Sequence, residues 1–306
     1  MRRSLALILV AVSALFTTPS AAECPPANAQ AIDLANEADR ERATDLERAI
    51  THYEQASQLD PRNHRILHKL ALAQTKKEEW TKVVDAEDRA LHIAPTFATY
   101  AYLRGVALAH LAVRGQATWP EVKDAFERTL ALDARQADAH YDLAEALLHL
   151  GDEKGALVHY TKAIQLRPTE YASWTALADL YIRLGLTKEA IKTLDEALTY
   201  IDGPKRFGLA TLYGMVLDEN GDSAGAAVRF EDAKKACGTC TEPGQQIAFF
   251  NLGMAYGTMR PPRKAEAVTQ LATFLKLVCK GAAAQRYADQ CTQSQMMASK
   301  LGGTLQ

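Results

Sequence analysis

Residues 137–170 read ADAHYDLAEALLHLGDEKGALVHYTKAIQLRPTE, and residues 171–204 read YASWTALADLYIRLGLTKEAIKTLDEALTYIDGP. The two stretches share one pattern at a spacing of 34 residues. The positions that match under this shift are Leu143 and Leu177, Ala144 and Ala178, Gly151 and Gly185, Ala156 and Ala190, and Ala163 and Ala197. A fixed period of this length is typical of proteins that stack helical units on one another. The sequence therefore predicts an all-α fold without a single central core.

Within each unit, large and small side chains occupy fixed places, and the pattern resembles the tetratricopeptide repeat family. The first stretch carries it in His140, Leu143, Ala144, Leu147, Ala156, Tyr160 and Ala163, and the second in Trp174, Leu177, Ala178, Tyr181, Ala190, Leu194 and Ala197. Small residues let the helices approach closely, and large apolar residues three and four apart form one buried stripe per helix. The resemblance implies a right-handed α-solenoid of helix-turn-helix units.

The same pattern, followed along the chain, predicts seven units and a C-terminal covering helix. The expected units are residues 30–63, 64–97, 98–136, 137–170, 171–204, 207–240 and 246–281, and a capping helix and tail follow at 282–306. In the first unit, Asp33, Asn36 and Arg40 fit the first helix poorly. The third unit is five residues too long, and we place the extra residues in a turn at 115–120. Gly151-Asp152 and Gly221-Asp222 are expected to join helices, because glycine ends one helix and aspartate caps the next.

The first 22 residues have the layout of a secretory signal. Arg2 and Arg3 precede an apolar run over 5–16, and the small residues Ser20 and Ala22 follow. The run is too short to remain as a membrane span, so we expect cleavage before Glu23 and a short mature segment at 23–29. The sequence thus predicts an exported protein, periplasmic or secreted with a bacterial-type signal, and no integral span in the mature chain.

Charge argues against nucleic acid as a partner. Removal of residues 1–22 takes away two basic and no acidic residues, which leaves 33 basic and 37 acidic residues and a net charge of −4. A mildly acidic chain lacks the basic surface that neutralises phosphates.

Five cysteines remain in the mature chain, and four of them, Cys237, Cys240, Cys279 and Cys291, lie in its last quarter. Cys24 is the fifth. In an oxidising compartment disulfides are the expected state, and four cysteines allow three pairings between which the sequence does not choose. Two alternatives stay open: a thiol-exchange site at the Cys-Gly-Thr-Cys stretch, and a zinc site made by the four thiolates.

Motifs of catalysis are absent from the sequence. It contains no phosphate-binding glycine loop, no His-Glu metal motif and no nucleophile elbow. We therefore expect neither an enzymatic activity nor a cofactor, and no metal outside the cysteine alternative.

The resemblance implies a concave groove lined by particular places of each first helix. Carried over residue by residue, the candidate partner-binding residues are Arg65, His68, Tyr102, His110, Tyr141, Glu145, His149, Asp179, Arg183, Met215, Asp218, Phe250 and Met254. Their order predicts a groove that is basic toward its N-terminal end, acidic in the middle and apolar toward its C-terminal end. Such a groove suits a peptide or helix that carries basic residues ahead of an apolar anchor.

These observations predict an exported scaffold or adaptor that binds a protein or peptide and helps to assemble an envelope or secreted complex. Two other hypotheses remain from the sequence. One is a thiol-redox or zinc-binding protein that uses the C-terminal cysteines. The other is an assembly subunit that associates with itself.

Overall fold

The structure, a computed structural model, describes residues 28–280 and 282–303. Every regular element within these residues is an α-helix. In chain order the helices are α1 (Ala29–Glu41), α2 (Leu46–Leu59), α3 (His64–Lys76), α4 (Trp80–Ile93), α5 (Ala98–Val113), α6 (Trp119–Leu132), α7 (Ala137–His149), α8 (Glu153–Leu166), α9 (Tyr171–Arg183), α10 (Thr187–Tyr200), α11 (Pro204–Glu219), α12 (Ser223–Cys237), α13 (Ile247–Thr258), α14 (Lys264–Val278), α15 (Ala282–Arg286) and α16 (Ala288–Lys300). The predicted signal at 1–22, its cleavage point before Glu23, and Cys24 lie outside the described residues. Across the described ranges, no helix has both the length and the apolarity needed to cross a membrane.

The helices pack in consecutive pairs, and each pair stacks on the next along the chain. Ala144 on α7 and Ala156 and Ala163 on α8 are at most 1% exposed, so the helix backbones approach closely at these points. Large side chains such as Leu143 and Tyr160 fill the space between them, each about 1% exposed. The all-α repeat fold predicted from the 34-residue period is confirmed.

The first helix of the stack forms although its sequence fits the repeat poorly. The Asn28 side chain caps α1 by accepting a hydrogen bond from the Ala31 backbone N–H, with an N–O distance of 3.2 Å. Ala31, Ala35 and Ala38 form its buried stripe. A stripe of alanines packs closely on α2 without large apolar residues, and for that reason the pattern was weak in the sequence.

The glycine-aspartate turns are present as predicted. Gly151 has a φ of +79° and Gly221 a φ of +83°, values that favour glycine. The carboxylate of Asp152 accepts the Gly155 N–H at 2.9 Å, and that of Asp222 accepts the Gly225 N–H at 2.8 Å. These bonds satisfy backbone donors at the start of α8 and α12.

The insertion in the third pair lies partly in a helix, which corrects its predicted placement. Helix α5 has 16 residues where α7 has 13, and the turn that follows α5 covers residues 114–118. Trp119 and Pro120, which we expected in the turn, open α6 behind a capping box of Thr118 and Glu121. The extension of α5 is stable because Leu111, at 7% exposure, joins the core.

The C-terminal segment forms two helices and not the single covering helix that was predicted. Helical geometry is interrupted at Tyr287, which has φ −116° and ψ 28°. The Tyr287 ring packs edge-on against Phe274 of α14, with ring centres 6.1 Å apart. Beyond this break α16 packs on both α13 and α14.

Candidate partner-binding groove

The thirteen predicted groove residues lie on the first helices of six pairs, from α3 to α13. All of them are exposed or half-buried. We use "the groove" for the face that these first helices share. It contains two adjoining cavities near the middle of the chain.

The α5–α7 cavity has a volume of about 360 Å³ and lies where α5, α6 and α7 meet. Its walls include Tyr102, Val106, His110, Trp119, Asp142, Glu145 and His149. The α7–α9 cavity, about 340 Å³, is lined by Glu145, Leu148, His149, Tyr160, Ala176, Asp179 and Arg183. Glu145 and His149 belong to both cavities. The structure therefore brings six of the predicted residues together, namely Tyr102, His110, Glu145, His149, Asp179 and Arg183.

Asp142 is a functional candidate that the sequence interpretation missed. It lies between the places from which groove residues were carried over, yet it lines the α5–α7 cavity. The Tyr102 hydroxyl donates a hydrogen bond to Asp142 Oδ2 at 2.9 Å. Burial raises the pKa of Asp142 to about 6, and the nearby carboxylates of Asp138 and Glu145 act in the same direction. The bond from Tyr102 opposes this rise without cancelling it.

Glu145 lies one turn further along α7 and is held by an aromatic pair. It accepts a hydrogen bond from the Tyr160 hydroxyl, and the Tyr141 ring lies 5.6 Å from the Tyr160 ring, centre to centre. Burial, together with the charge of Glu145, raises the pKa of Tyr141 to about 12. Both tyrosines thus remain neutral hydrogen-bond donors at physiological pH.

The other carboxylates near the cavities have basic partners. Arg167 makes two hydrogen bonds to Asp138, at 2.6 and 3.0 Å. Arg183 Nε lies 3.0 Å from Asp179 Oδ2. Among the residues that the structure describes, no basic side chain forms an ion pair with Asp142 or Glu145. The α5–α7 cavity thus carries two acidic groups without a compensating cation.

Two of the predicted histidines, His110 and His149, stack on tryptophans that were not predicted to lie beside the groove. Trp80 at the start of α4 stacks on His110 with ring centres 3.8 Å apart, and Trp119 at the start of α6 stacks on His149 at 3.6 Å. Each tryptophan precedes its histidine by 30 residues. This repeated spacing was the available sequence signal. It went unnoticed because the tryptophans lie on second helices, from which no groove residue was carried over.

At the N-terminal end of the groove, the predicted residue His68 contacts an acidic residue of α4. His68 Nδ1 lies 2.5 Å from Glu87 Oε1, and Glu87 is fully buried. Burial raises the pKa of Glu87, and the contact with His68 opposes that rise. Of the two predicted basic residues, Arg65 is the exposed one.

The C-terminal end of the groove has an apolar surface of mixed exposure. Met215 is 45% exposed, whereas Phe250 and Met254 are half-buried. The Phe250 ring packs on Phe274 with centres 5.5 Å apart. Phe250 therefore contributes to packing between helices as well as to the groove face.

The C-terminal cysteines pair as Cys237–Cys240 and Cys279–Cys291. The first bond closes the end of α12, and the second joins the end of α14 to α16. Cys240 and Cys291 pack in one apolar cluster with Phe249 and Phe274. Within the described ranges, no group of three or more potential ligands is arranged to hold a metal ion.

Comparison with known proteins places this fold in a defined class. Residues 123–171 and 151–206 each match a tetratricopeptide repeat family model. None of the curated proteins matches the sequence.

Solved structures of repeat proteins are similar over longer stretches. MamA is 25% identical with a TM-score of 0.50, over 53% of this chain and 93% of MamA. A tetratricopeptide repeat protein from Parabacteroides merdae ATCC 43184 is 14% identical with a TM-score of 0.55, over 88% of this chain and 100% of that protein. PilW, a type IV pilus biogenesis factor, is 16% identical with a TM-score of 0.54, over 72% of this chain and 99% of PilW. Residues 123–206 thus match tetratricopeptide repeat models, and the fold of the described residues is similar to that of solved tetratricopeptide repeat proteins.

Proposed function

We propose that this protein is an exported scaffold that binds a protein or peptide partner through its groove and thereby helps to assemble an envelope or secreted complex. The observation that carries the proposal is the pair of adjoining cavities on the first-helix face, which share Glu145 and His149. Together they offer exposed polar, aromatic and charged groups over three consecutive helix pairs. An extended segment of a partner can contact such a surface over several residues.

Export is supported by two independent features. Arg2 and Arg3 followed by an apolar run have the order of a secretory signal. The two disulfides suit an oxidising compartment. The fold similarity to PilW, a factor of type IV pilus biogenesis, is consistent with a place in the cell envelope. In the purified exported protein, mass spectrometry should find Glu23 at the N-terminus, and a chain that keeps residues 1–22 would contradict this part of the proposal.

Partner capture tests the groove itself. The Arg183→Ala/Met215→Ala variant removes two exposed groove side chains, and Met215 is 45% exposed. Its matched control, Val158→Ala/Val228→Ala, removes side chains that are 66% and 55% exposed on the second helices α8 and α12. After crosslinking and purification, a protein enriched by the native chain should be lost with the groove variant and kept with the control. If capture is kept with the groove variant and lost with the control, the partner binds the second helices and not the groove.

The cysteines have a structural role in this proposal. Cys240 is fully buried and is bonded to the half-buried Cys237, so its sulfur is not accessible to another protein. The disulfide at Cys279–Cys291 ties the covering helix α16 to α14. These bonds stabilise the last pair of the stack, which has a neighbouring pair on one side only.

A further inference from the structure

We propose that the α5–α7 cavity is a specificity pocket that receives one arginine or lysine side chain of the protein partner. The inference rests on the proposed function, because it assigns a role to part of the same groove. The pocket residues that carry it are Tyr102, Trp119, Asp142, Glu145 and His149.

The charge of the α5–α7 cavity favours a basic ligand. Asp138 and Asp179, the neighbouring acidic residues on α7 and α9, have arginine partners at 2.6 and 3.0 Å. Asp142 and Glu145 receive hydrogen bonds from the hydroxyls of Tyr102 and Tyr160. A neutral hydroxyl satisfies a lone pair but does not neutralise a carboxylate. A cation from outside the chain would complete the site, and an anionic or apolar side chain would not.

The aromatic walls of the α5–α7 cavity also favour a basic side chain. Tyr102 and Trp119 line the pocket, and Trp119 is fixed by its stack on His149, with ring centres 3.6 Å apart. Aromatic faces attract guanidinium and ammonium groups and also cover the alkyl part of such side chains. Carboxylates combined with aromatic walls therefore favour a long basic side chain over a small inorganic cation.

The α5–α7 cavity adjoins a second cavity along the groove. Glu145 and His149 also line the α7–α9 cavity, where Leu148 and Ala176 provide apolar surface. A partner that places its basic side chain between α5 and α7 can continue along the groove into that cavity. The pocket thus gives the partner segment a fixed register on the stack.

A peptide-display selection tests the pocket. A library of random dodecapeptides is selected on the native protein and on the Asp142→Asn/Glu145→Gln variant. Both replacements keep an oxygen that can accept the tyrosine hydroxyl bonds, so the fold should be retained, as circular dichroism can verify. Glu196→Gln is the matched control, because it removes an exposed acidic charge from the second helix α10, outside the groove and both cavities.

The native protein should enrich peptides that share a basic residue at one fixed position. Replacement of that residue by citrulline or norleucine should weaken binding about tenfold, measured by fluorescence anisotropy. The same replacement should have little effect on binding to the Asp142→Asn/Glu145→Gln variant, whereas the Glu196→Gln variant should behave like the native chain.

Two other outcomes have separate meanings. Enriched peptides that bind the groove, as shown by weaker binding to Arg183→Ala/Met215→Ala, but that tolerate loss of the basic residue would overturn the pocket and leave the proposed function standing. If no peptide is enriched, or if all enriched peptides bind both the Arg183→Ala/Met215→Ala variant and the Asp142→Asn/Glu145→Gln variant as they bind the native chain, the result counts against both.

Discussion

At the residue scale, the buried position of Asp142 lowers the stability of the folded protein at neutral pH. Its carboxylate is half-buried and has no cationic partner among the described residues, so its pKa rises to about 6 from a usual value near 3.8. The folded state therefore binds the Asp142 proton more tightly than the unfolded state does. The stabilisation from this proton is present at low pH and is lost as the pH rises through 6. At pH 7 the ionised Asp142 carboxylate therefore destabilises the fold. Residues of binding sites often lower stability in this way.

Asp142→Asn should accordingly stabilise the protein. We expect the free energy of unfolding to increase by about 1–2 kcal/mol at pH 7, because a neutral amide replaces a partly buried carboxylate. Urea denaturation at pH 7 and at pH 4 measures the effect, and the gain should shrink at the lower pH. Asp138→Asn is the control, since that carboxylate is paired with Arg167 and should give no gain. A loss of stability for Asp142→Asn at both pH values would contradict the argument.

The same group should make partner binding depend on pH. A bound cation favours ionised Asp142, so affinity for a peptide with a basic residue is full above pH 6 and falls as the pH drops below 6. Between pH 7 and pH 5 we expect about a tenfold loss of affinity by anisotropy. Asp142 is faced by Tyr102 of α5, and Asp138 and Glu145 lie near it on α7; His110 and His149 line the cavity. Asp142→Asn should therefore reduce the pH dependence of peptide binding.

Residue-scale features were the hardest to predict from the sequence. The period placed Glu145 and His149 correctly on the first-helix face, because both occupy places that the repeat defines. Asp142 became visible only through a contact between different helix pairs, the 2.9 Å bond from Tyr102 on α5 to Asp142 on α7. Such contacts depend on how far one pair is rotated relative to the next, which the period does not specify.

At the scale of elements, the small residues of each unit set the distance between helices. Gly214 on α11 is an example, because a Cβ added there would lie 2.5–2.9 Å from three carbons of the Phe230 ring on α12. Phe230 is only 3% exposed, so its ring is enclosed by other residues and cannot turn out into solvent without loss of packing. The sequence pattern predicted a small residue at this place, and the ring contact is the physical reason for it.

Gly214→Ala should therefore destabilise the protein although alanine favours helix. Overpacking typically costs about 1–3 kcal/mol and the helix preference returns up to about 1 kcal/mol, so we expect a net loss of about 1–2 kcal/mol in denaturant unfolding. Gly208→Ala on the same helix is the matched control. Its Cβ would meet the hydroxyl end of the half-buried Tyr171 at 2.7 Å, and that side chain can shift. Equal effects of the two substitutions would show that helix spacing at Gly214 is not tight.

At the scale of the whole molecule, stability in a stack is a sum over neighbouring pairs. The sequence predicted this architecture of stacked helix pairs. It did not choose among the three disulfide pairings, because the choice depends on where α16 lies against α14. It also did not divide the five-residue insertion between helix α5 and the following turn, because both solutions keep the pattern of buried residues.

Loss of the Cys279–Cys291 bond should loosen one end of the stack. The bond closes a loop with a sequence separation of 12, so Cys279→Ser/Cys291→Ser should cost about 2–3 kcal/mol locally. Hydrogen exchange followed by mass spectrometry should show faster exchange in α13–α16 and unchanged exchange in α3–α8. The Cys237–Cys240 bond closes a much shorter loop, with a sequence separation of 3, so Cys237→Ser/Cys240→Ser should have a smaller effect. Faster hydrogen exchange in all helices alike would contradict a stack in which each pair is stabilised mainly by its neighbours.

Site-specific photo-crosslinking in the native exported fraction tests the central claim, that the groove is the working surface, most directly. A benzoylphenylalanine residue replaces Met215 or Asp179 in the groove, or Val158 or Val228 on the second helices, at positions that are all well exposed. The account predicts one discrete adduct with the same partner from both groove positions and none from the other two. Adducts formed from Val158 and Val228, with none from the groove positions, would contradict it.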